Sequence, residues 1–494
     1  MRFVMSNRII EIAVCCAILL SFSTEAAVAQ TNNFYQTGQI RVIVSEVETK
    51  ISSLTNSVQI AGYKIPLAAD SNVGFFFTYS TFENGEQTEK WLQLPNDRTW
   101  SSFSNQSVRI SGSLRNNKLS NIAVSPLTAL SESYLTNPPA TVGRYKIVAV
   151  PLTIQPISAQ GKADNNASIT VTPEAIRNTL FNSPISVNEF YREASYGMLE
   201  FTGVHHPQGD VVPVTIQAAI SNDCQNQITN QFTPIVRQRL LEQNIDTTNG
   251  SVDLGIIIFN DTPGCPSYPF ATRGALGQRG LPQWVWMPES WFVTGPSIVA
   301  HEMGHAFGGN HPLTMRCVDF DNPQTCVAED AADRDLMTSA GRYYMMPNNY
   351  ERRRWGWHPP GAFDNARSGS LEMFDLHSPI IPFVKNGAKQ GRFYFRNLAA
   401  PHLEWDIYPE ARRNWGQFER YQQTDEAFRL GIAVRIGHSH YGDPSVVSIL
   451  LDPNNTPQHD DAPLRQNQQI SIGGAVIKTL RESNPNWGTR MSIR

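Results

Sequence analysis

Residues 295–311 constrain what this chain can become more than any other stretch. Pro296 suits the first turn of a helix, where a missing N–H costs nothing, and Gly308-Gly309 supplies an end, so residues 295–308 read as one helix. Ile298, Val299, Met303, Ala306 and Phe307 give it an apolar flank, as a helix beneath the floor of a cleft requires. His301 and His305 are four residues apart and therefore share a face, with roughly 5–6 Å between Cβ atoms, so both imidazoles can reach one metal ion. Glu302 is rotated by about 100° from His301, which sets it beside such an ion rather than on it. Gly308 accepts a left-handed backbone and lets the chain turn back, so that His311 can become a third ligand. Three protein ligands leave one position open, the pattern of catalytic zinc rather than structural zinc. The competing reading is a pair of helix histidines without metal.

His301-Glu302-Met303-Gly304-His305-Ala306-Phe307-Gly308-Gly309-Asn310-His311 fills every defined position of the pattern H-E-x-x-H-x-x-G-x-x-H. In this the chain resembles the metzincin zinc peptidases. The resemblance implies one zinc ion held by His301, His305 and His311, with Glu302 as the general base that takes a proton from a metal-activated water as it attacks a carbonyl. It also implies a methionine in a tight turn under the metal. Asp335-Leu336-Met337-Thr338 matches that turn and makes Met337 the candidate, with Met345 and Met346 as alternatives and an ordinary core methionine as the plainer reading. Ser339 stands where some metzincins place a tyrosine near the metal, and Tyr343 and Tyr344 follow it. Two further segments, 186–197 and 350–357, resemble the gametolysin-like peptidases in particular, over about residues 144–357. That resemblance implies hydrolysis of peptide bonds in extracellular or cell-wall proteins.

The N-terminus agrees with an extracellular destination. Arg2 and Arg8 precede a short apolar run, and Ala27-Val28-Ala29 ends it, the pattern of a secretory signal peptide over residues 1–29. The run is too short to span a bilayer, so no membrane attachment is expected after its removal. A lipoprotein site at Cys15 is the rival reading. Of six cysteines, four then remain: Cys224, Cys265, Cys317 and Cys326. In an oxidising compartment they predict two disulfides, and of three connectivities Cys224–Cys265 with Cys317–Cys326 closes the most local loops. A formal net charge of -4 offers no basic field for nucleic acid, which leaves a protein or peptide substrate as the expected partner.

A length of 494 residues suggests about three domains, and the patterning agrees. Short alternating runs such as Arg41-Val42-Ile43-Val44 predict a small β domain over residues 30–137, either a propeptide or a binding module, ending in the stiff Pro138-Pro139. Because no cysteine lies between Gln30 and Asp223, a thiolate from this segment cannot block the metal. Residues 144–360 mix strands with helices. One helix is announced by Thr172-Pro173, another by the capping box Ser186 to Glu189, and a third runs over residues 233–243 with Ile235, Leu240 and Leu241 on one side. Residues 361–494 return to strands and predict a β-sandwich. The expected fold class is α+β: a metzincin-like catalytic domain, with a mixed sheet and a zinc-binding helix, flanked by two β-rich domains.

Weaker features have two readings each. Trp284-Val285-Trp286-Met287 is either an edge strand that pairs with an extended peptide or part of the core. Asp321, Glu329, Asp330, Asp333 and Asp335 lack the regular spacing of a calcium loop and read better as a solvated stretch. His205, His206, His438 and His440 read as surface or structural residues rather than as a second zinc site. Against the peptidase stand two alternatives: a secreted glycan- or matrix-binding protein on the same scaffold, and a zinc amidase acting on non-protein amides. A scaffold alone would need the histidines but not Glu302.

Overall fold

The fold is a computed structural model that describes residues 32–45, 57–60, 63–66, 73–83, 86–95, 107–115, 118–126, 141–158, 160–221, 223–266, 268–273, 282–320, 322–330, 335–338, 345–357, 363–364, 369–373, 390–391, 393–396, 404–411, 418, 427, 430–438, 448–454, 461–472, 475–482 and 489–493. The expected signal peptide and residues 134–140 of the expected linker lie outside this set. Within it no helix is long and apolar enough to cross a membrane.

The N-terminal strands are β1 (Asn32–Ser45), the hairpin of β2 (Ser57–Ile60) and β3 (Tyr63–Pro66), then β4 (Val73–Glu83), β5 (Glu86–Gln93), β6 (Ser107–Arg115) and β7 (Lys118–Pro126). β1 pairs with β4 through its second half and with β6 through its first, so the order β1-β4-β5-β7-β6 closes on itself. Ile40, Phe75, Phe77, Leu92, Val108 and Ile110 fill the resulting barrel.

The middle of the chain mixes strands and helices. In chain order come β8 (Gly143–Pro156), α1 (Pro173–Arg177), α2 (Val187–Ala194), β9 (Leu199–Thr202), β10 (Asp210–Val211), β11 (Val214–Ala218), α3 (Cys224–Gln227), α4 (Thr233–Glu242), β12 (Leu254–Phe259), β13 (Phe270–Arg273), β14 (Gln283–Pro288), α5 (Glu289–Phe292) and α6 (Pro296–Ala306). Thr172 caps α1 with Pro173 in its first turn, and Ser186 caps α2 by accepting from the Glu189 N–H, as their end signals predict. α4 forms where expected but buries a different side. Thr233, Val236, Arg237 and Leu240 face inward, whereas Ile235 and Leu241 are exposed. At 100° per residue the inward set shares one stripe, Leu241 borders it and Ile235 lies on nearly the opposite side.

β9, β10 and β11 lie along one side of β8, and β8, β12 and β14 run parallel. β13 is antiparallel to β14 and pairs on its other side with β1, Val42 opposite Arg273 and Ser45 opposite Phe270. One sheet of twelve described strands therefore joins the N-terminal barrel to the middle region, across the division expected near residues 138–143. β14 is an inner strand with Trp284 and Trp286 fully buried, so the edge-strand reading of residues 284–287 fails. Partners on both of its edges and cores on both of its faces leave no place for a peptide there.

Beyond His311 come β15 (Leu313–Cys317), β16 (Cys326–Asp330), α7 (Asn349–Arg354), β17 (Phe363–Asp364), β18 (Gly369–Met373), β19 (Gln390–Gly391), β20 (Phe393–Arg396), β21 (Glu404–Glu410), β22 (Ala433–His438), β23 (Ile449–Asp452), β24 (Gln469–Ile472), β25 (Ala475–Arg481) and β26 (Thr489–Ile493). A six-stranded sheet in the order β16-β15-β23-β22-β21-β20 shares one apolar cluster with the sheet β18-β26-β25-β24, Leu313 and Ile449 meeting Ile470 and Met491. This sheet draws strands from both sides of residue 361. The whole is mixed α+β with several sheets and few helices, and both expected disulfides, Cys224–Cys265 and Cys317–Cys326, are present.

Candidate metal centre

Helix α6 spans nearly the segment its end signals predict, with Pro296 in its first turn and Phe307 as its last half-helical residue. Gly308 follows with φ of 91°, the left-handed exit that lets the chain double back. All five residues of the predicted apolar flank are buried, and so is the opposite face. His301, His305 and His311 each offer one ring nitrogen, and these atoms lie within 4.8 Å of one another. His301 Nε2 and His311 Nε2 approach to 3.2 Å. Among the described residues no other histidine, cysteine or carboxylate cluster is arranged to hold a metal.

The orientation of two rings is fixed from behind. Nδ1–H of His301 donates to the Leu336 carbonyl at 2.7 Å, and Nδ1–H of His305 donates to the Gly309 carbonyl at 3.0 Å. A carbonyl can only accept, so both imidazoles carry their proton on Nδ1 and turn Nε2 toward the common centre, the arrangement usual for metal-binding histidines. Imidazole nitrogens suit zinc and its transition-metal neighbours, whereas calcium and magnesium need oxygen donors. The donor set therefore fits a transition-metal ion. Glu302, next to His301 on the helix, is fully buried.

The turn beneath the helix does two things at once. Leu336 supplies the carbonyl for His301, and the neighbouring Met337 is fully buried against Gly304 so closely that a Cβ there would overlap its Sδ. Asp335 closes this turn: its Oδ1 accepts from Met337 N at 2.8 Å, and its carbonyl accepts from the Thr338 N–H and hydroxyl. Asp335 is only 2% exposed, so it does not belong to a solvated acidic stretch. An aspartate two residues before the methionine is an Asx-turn signal, and the sequence did carry it. Of the other acids, Glu329 pairs with Arg316, while the side chains of Asp321, Asp330 and Asp333 lie outside the described set, as do Ser339, Tyr343 and Tyr344. His205 and His206 are exposed.

Residues 186–197 and 350–357 meet at the base of α6. The Tyr191 hydroxyl from α2 donates to the Ala300 carbonyl, and its ring packs edge-on against Phe307 and Trp357 at 4.9 and 5.8 Å. Trp355 packs on Phe307 at 5.8 Å, and Arg352 donates to the Tyr196 hydroxyl at 2.9 Å. Tyr191 and the Leu336 carbonyl are contributions that local periodicity does not single out, because their partners are more than thirty residues away.

His311 is steadied from the C-terminal side. Leu313 N donates to the Ser448 carbonyl at 2.9 Å and opens β15 in the six-stranded sheet. Asn348 caps α7 and donates to the Ser448 hydroxyl at 3.0 Å, while Glu410 accepts from Asn349 N at 2.9 Å and from the buried Arg435 at 3.1 Å. His311 thus stands at the junction of the helix with this sheet. Comparison with models of known families, with curated proteins and with solved structures returns no match.

Proposed function

We propose that the chain is a secreted, zinc-dependent endopeptidase of the metzincin kind, closest to the gametolysin-like group, acting on extracellular or cell-wall proteins. The observation that carries this is the convergence of three imidazoles, two with Nε2 aimed by backbone carbonyls, beside a buried glutamate on the same helix. Support also comes from Met337, which lies under Gly304 in the turn that the resemblance leads one to expect.

His301, His305 and His311 would hold the ion, which when bound supplies a Lewis acid that polarises a carbonyl and makes water acidic near neutral pH. The carboxylate of Glu302 takes a proton from the attacking water and delivers it to the leaving amine nitrogen. Burial of Glu302 keeps bulk water from competing for that proton. The presence of Glu302 favours an enzyme over a binding scaffold built on the same three histidines.

Digestion of casein, followed by N-terminal sequencing of the products with and without chelator, tests the reading. Cleavage should require the metal, and Glu302→Ala should lower the rate by about 10²–10⁴-fold while zinc stays bound, the usual worth of a general acid–base group. Cleavage at the wild-type rate by that variant would contradict the assignment of the base.

A further inference from the structure

A concave site lies far from the three histidines in sequence. A cavity of about 500 Å³ separates the barrel strands β4, β5 and β6 from the segment that begins with α3. This volume falls within the roughly 300–1,000 Å³ of small-ligand sites. Tyr79, Trp91 and Gln93 line it from the barrel, Asn230 and Gln231 from the other side. Lys90 and Asp223 contribute one charge of each sign.

Two residues of this lining each carry a buried atom without a hydrogen-bond partner among the described residues, the indole N–H of Trp91 and the Oδ1 of Asn230. The first can only donate and the second can only accept, and Trp91 is 6% exposed. A buried polar atom left unmatched costs about 1–3 kcal/mol, so a ligand that supplies both an acceptor and a donor is favoured there. A hydroxyl group does both, and the carboxamides of Gln93 and Gln231 can exchange hydrogen bonds in both directions with further hydroxyls.

The wall opposite the barrel is held firmly. The Cys224–Cys265 disulfide anchors the start of α3, and Gln227 is fixed by accepting from Ser221 N at 2.9 Å and donating to the Ala219 carbonyl at 2.7 Å. A lining that does not have to be ordered on binding loses less affinity. Polyanions are a poor match, because a strand of nucleic acid needs several cations along its phosphates, and among the described residues Lys90 is the one cation in the lining, with the anionic Asp223 in the same lining. The location fits as well. Small closed barrels with this strand order place oligosaccharides or oligonucleotides on the face of their second and third strands, here β4 and β5.

We propose that this cavity binds an uncharged oligosaccharide, whose hydroxyls are met by Trp91 and Gln93 on the barrel side and by Asn230 and Gln231 on the other. The site does not depend on the metal centre and would tether the protein to a glycan surface. Calorimetric titration of the full chain with cellohexaose and with N-acetylchitohexaose tests this, with a twelve-residue oligo(dT) as the polyanionic comparison. One or both hexasaccharides should bind. Gln93→Ala with Gln231→Ala should weaken that binding about tenfold or more, which is about 1.4 kcal/mol, at an unchanged melting temperature. Binding should persist in Glu302→Ala. Failure of both hexasaccharides to bind, equal binding by the double variant, or preferential binding of the oligonucleotide would overturn the proposal.

Discussion

The two faces of the central sheet come from the same alternating strands. Ile147, Ala149, Ile256, Val285 and Met287 point toward α6 and α2, while Val150, Ile257, Trp284 and Trp286 point toward α4 and the barrel. Helix α6 brings His301, Glu302 and His305 into the interior on the first face, with His311 and Asp335 close behind, and these three are the only buried histidines among the described residues. The second face is lined chiefly by apolar side chains, with Arg237 of α4 donating to the Thr247 hydroxyl at 2.9 Å. On this face Trp286 donates to the Thr233 hydroxyl at 3.0 Å and stacks on Phe270 at 5.1 Å. One face therefore sets ionisable groups in a dry and extensive apolar cluster, and the other joins the sheet to α4 and the barrel.

That division of labour can be broken most forcefully on the apolar face. Trp286→Ala should cost about 3–5 kcal/mol in a denaturant titration, since it removes a fully buried indole that also touches Trp91 across the seam with the barrel. A loss under about 1 kcal/mol would mean that the indole is not packed into a rigid seam.

On the site face, Gly304→Ala sets two effects against each other. Helix propensity alone favours the alanine by about 1 kcal/mol. The added methyl would overlap Met337 Sδ, however, and overpacking of a tight contact costs about 1–3 kcal/mol. Packing should win, giving a lower melting temperature and weaker zinc retention. A more stable variant with full zinc affinity would remove Met337 from the support of the site.

The smallest effect belongs to a carboxylate at the end of the same sheet. Burial raises the pKa of Asp253 above the usual carboxylate range, although its Oδ2 accepts from Lys146 N at 2.8 Å. A raised folded-state pKa makes the protonated form the favoured one, so this contribution is complete in acid and is lost as pH rises through the folded value. Asp253→Asn keeps an acceptor without the charge. It should melt slightly higher than the native protein at neutral pH and at the same temperature below the carboxylate range. Equal melting at both pH values would show that the burial cost is relieved some other way.

The same contrast explains what was legible in the sequence. The metal helix, its caps and the left-handed Gly308 are set by residues within one or two turns of each other, and all could be read. The sequential disulfides and the capped helices α1 and α2 were legible for the same reason. Strand partnership is set by residues far apart, so the pairing of β1 with β13 left no local mark. Trp284-Val285-Trp286-Met287 did carry a signal, because an apolar run without alternation belongs to a strand covered on both faces. An edge strand would have alternated. In α4 the buried side follows helical angle rather than apolar content, since Thr233 and Arg237 share the inward stripe with Val236 and Leu240 while Ile235 faces solvent.

Three histidines from a helix and its return loop converge where a single metal ion would be held. Elemental analysis of the folded chain, purified without chelator and dialysed, measures it directly, with His311→Ala alongside. One zinc ion per chain, lost in the variant with little change in melting of the apo forms, is the predicted result. A native protein that carries no transition metal and takes up none from excess zinc would contradict it.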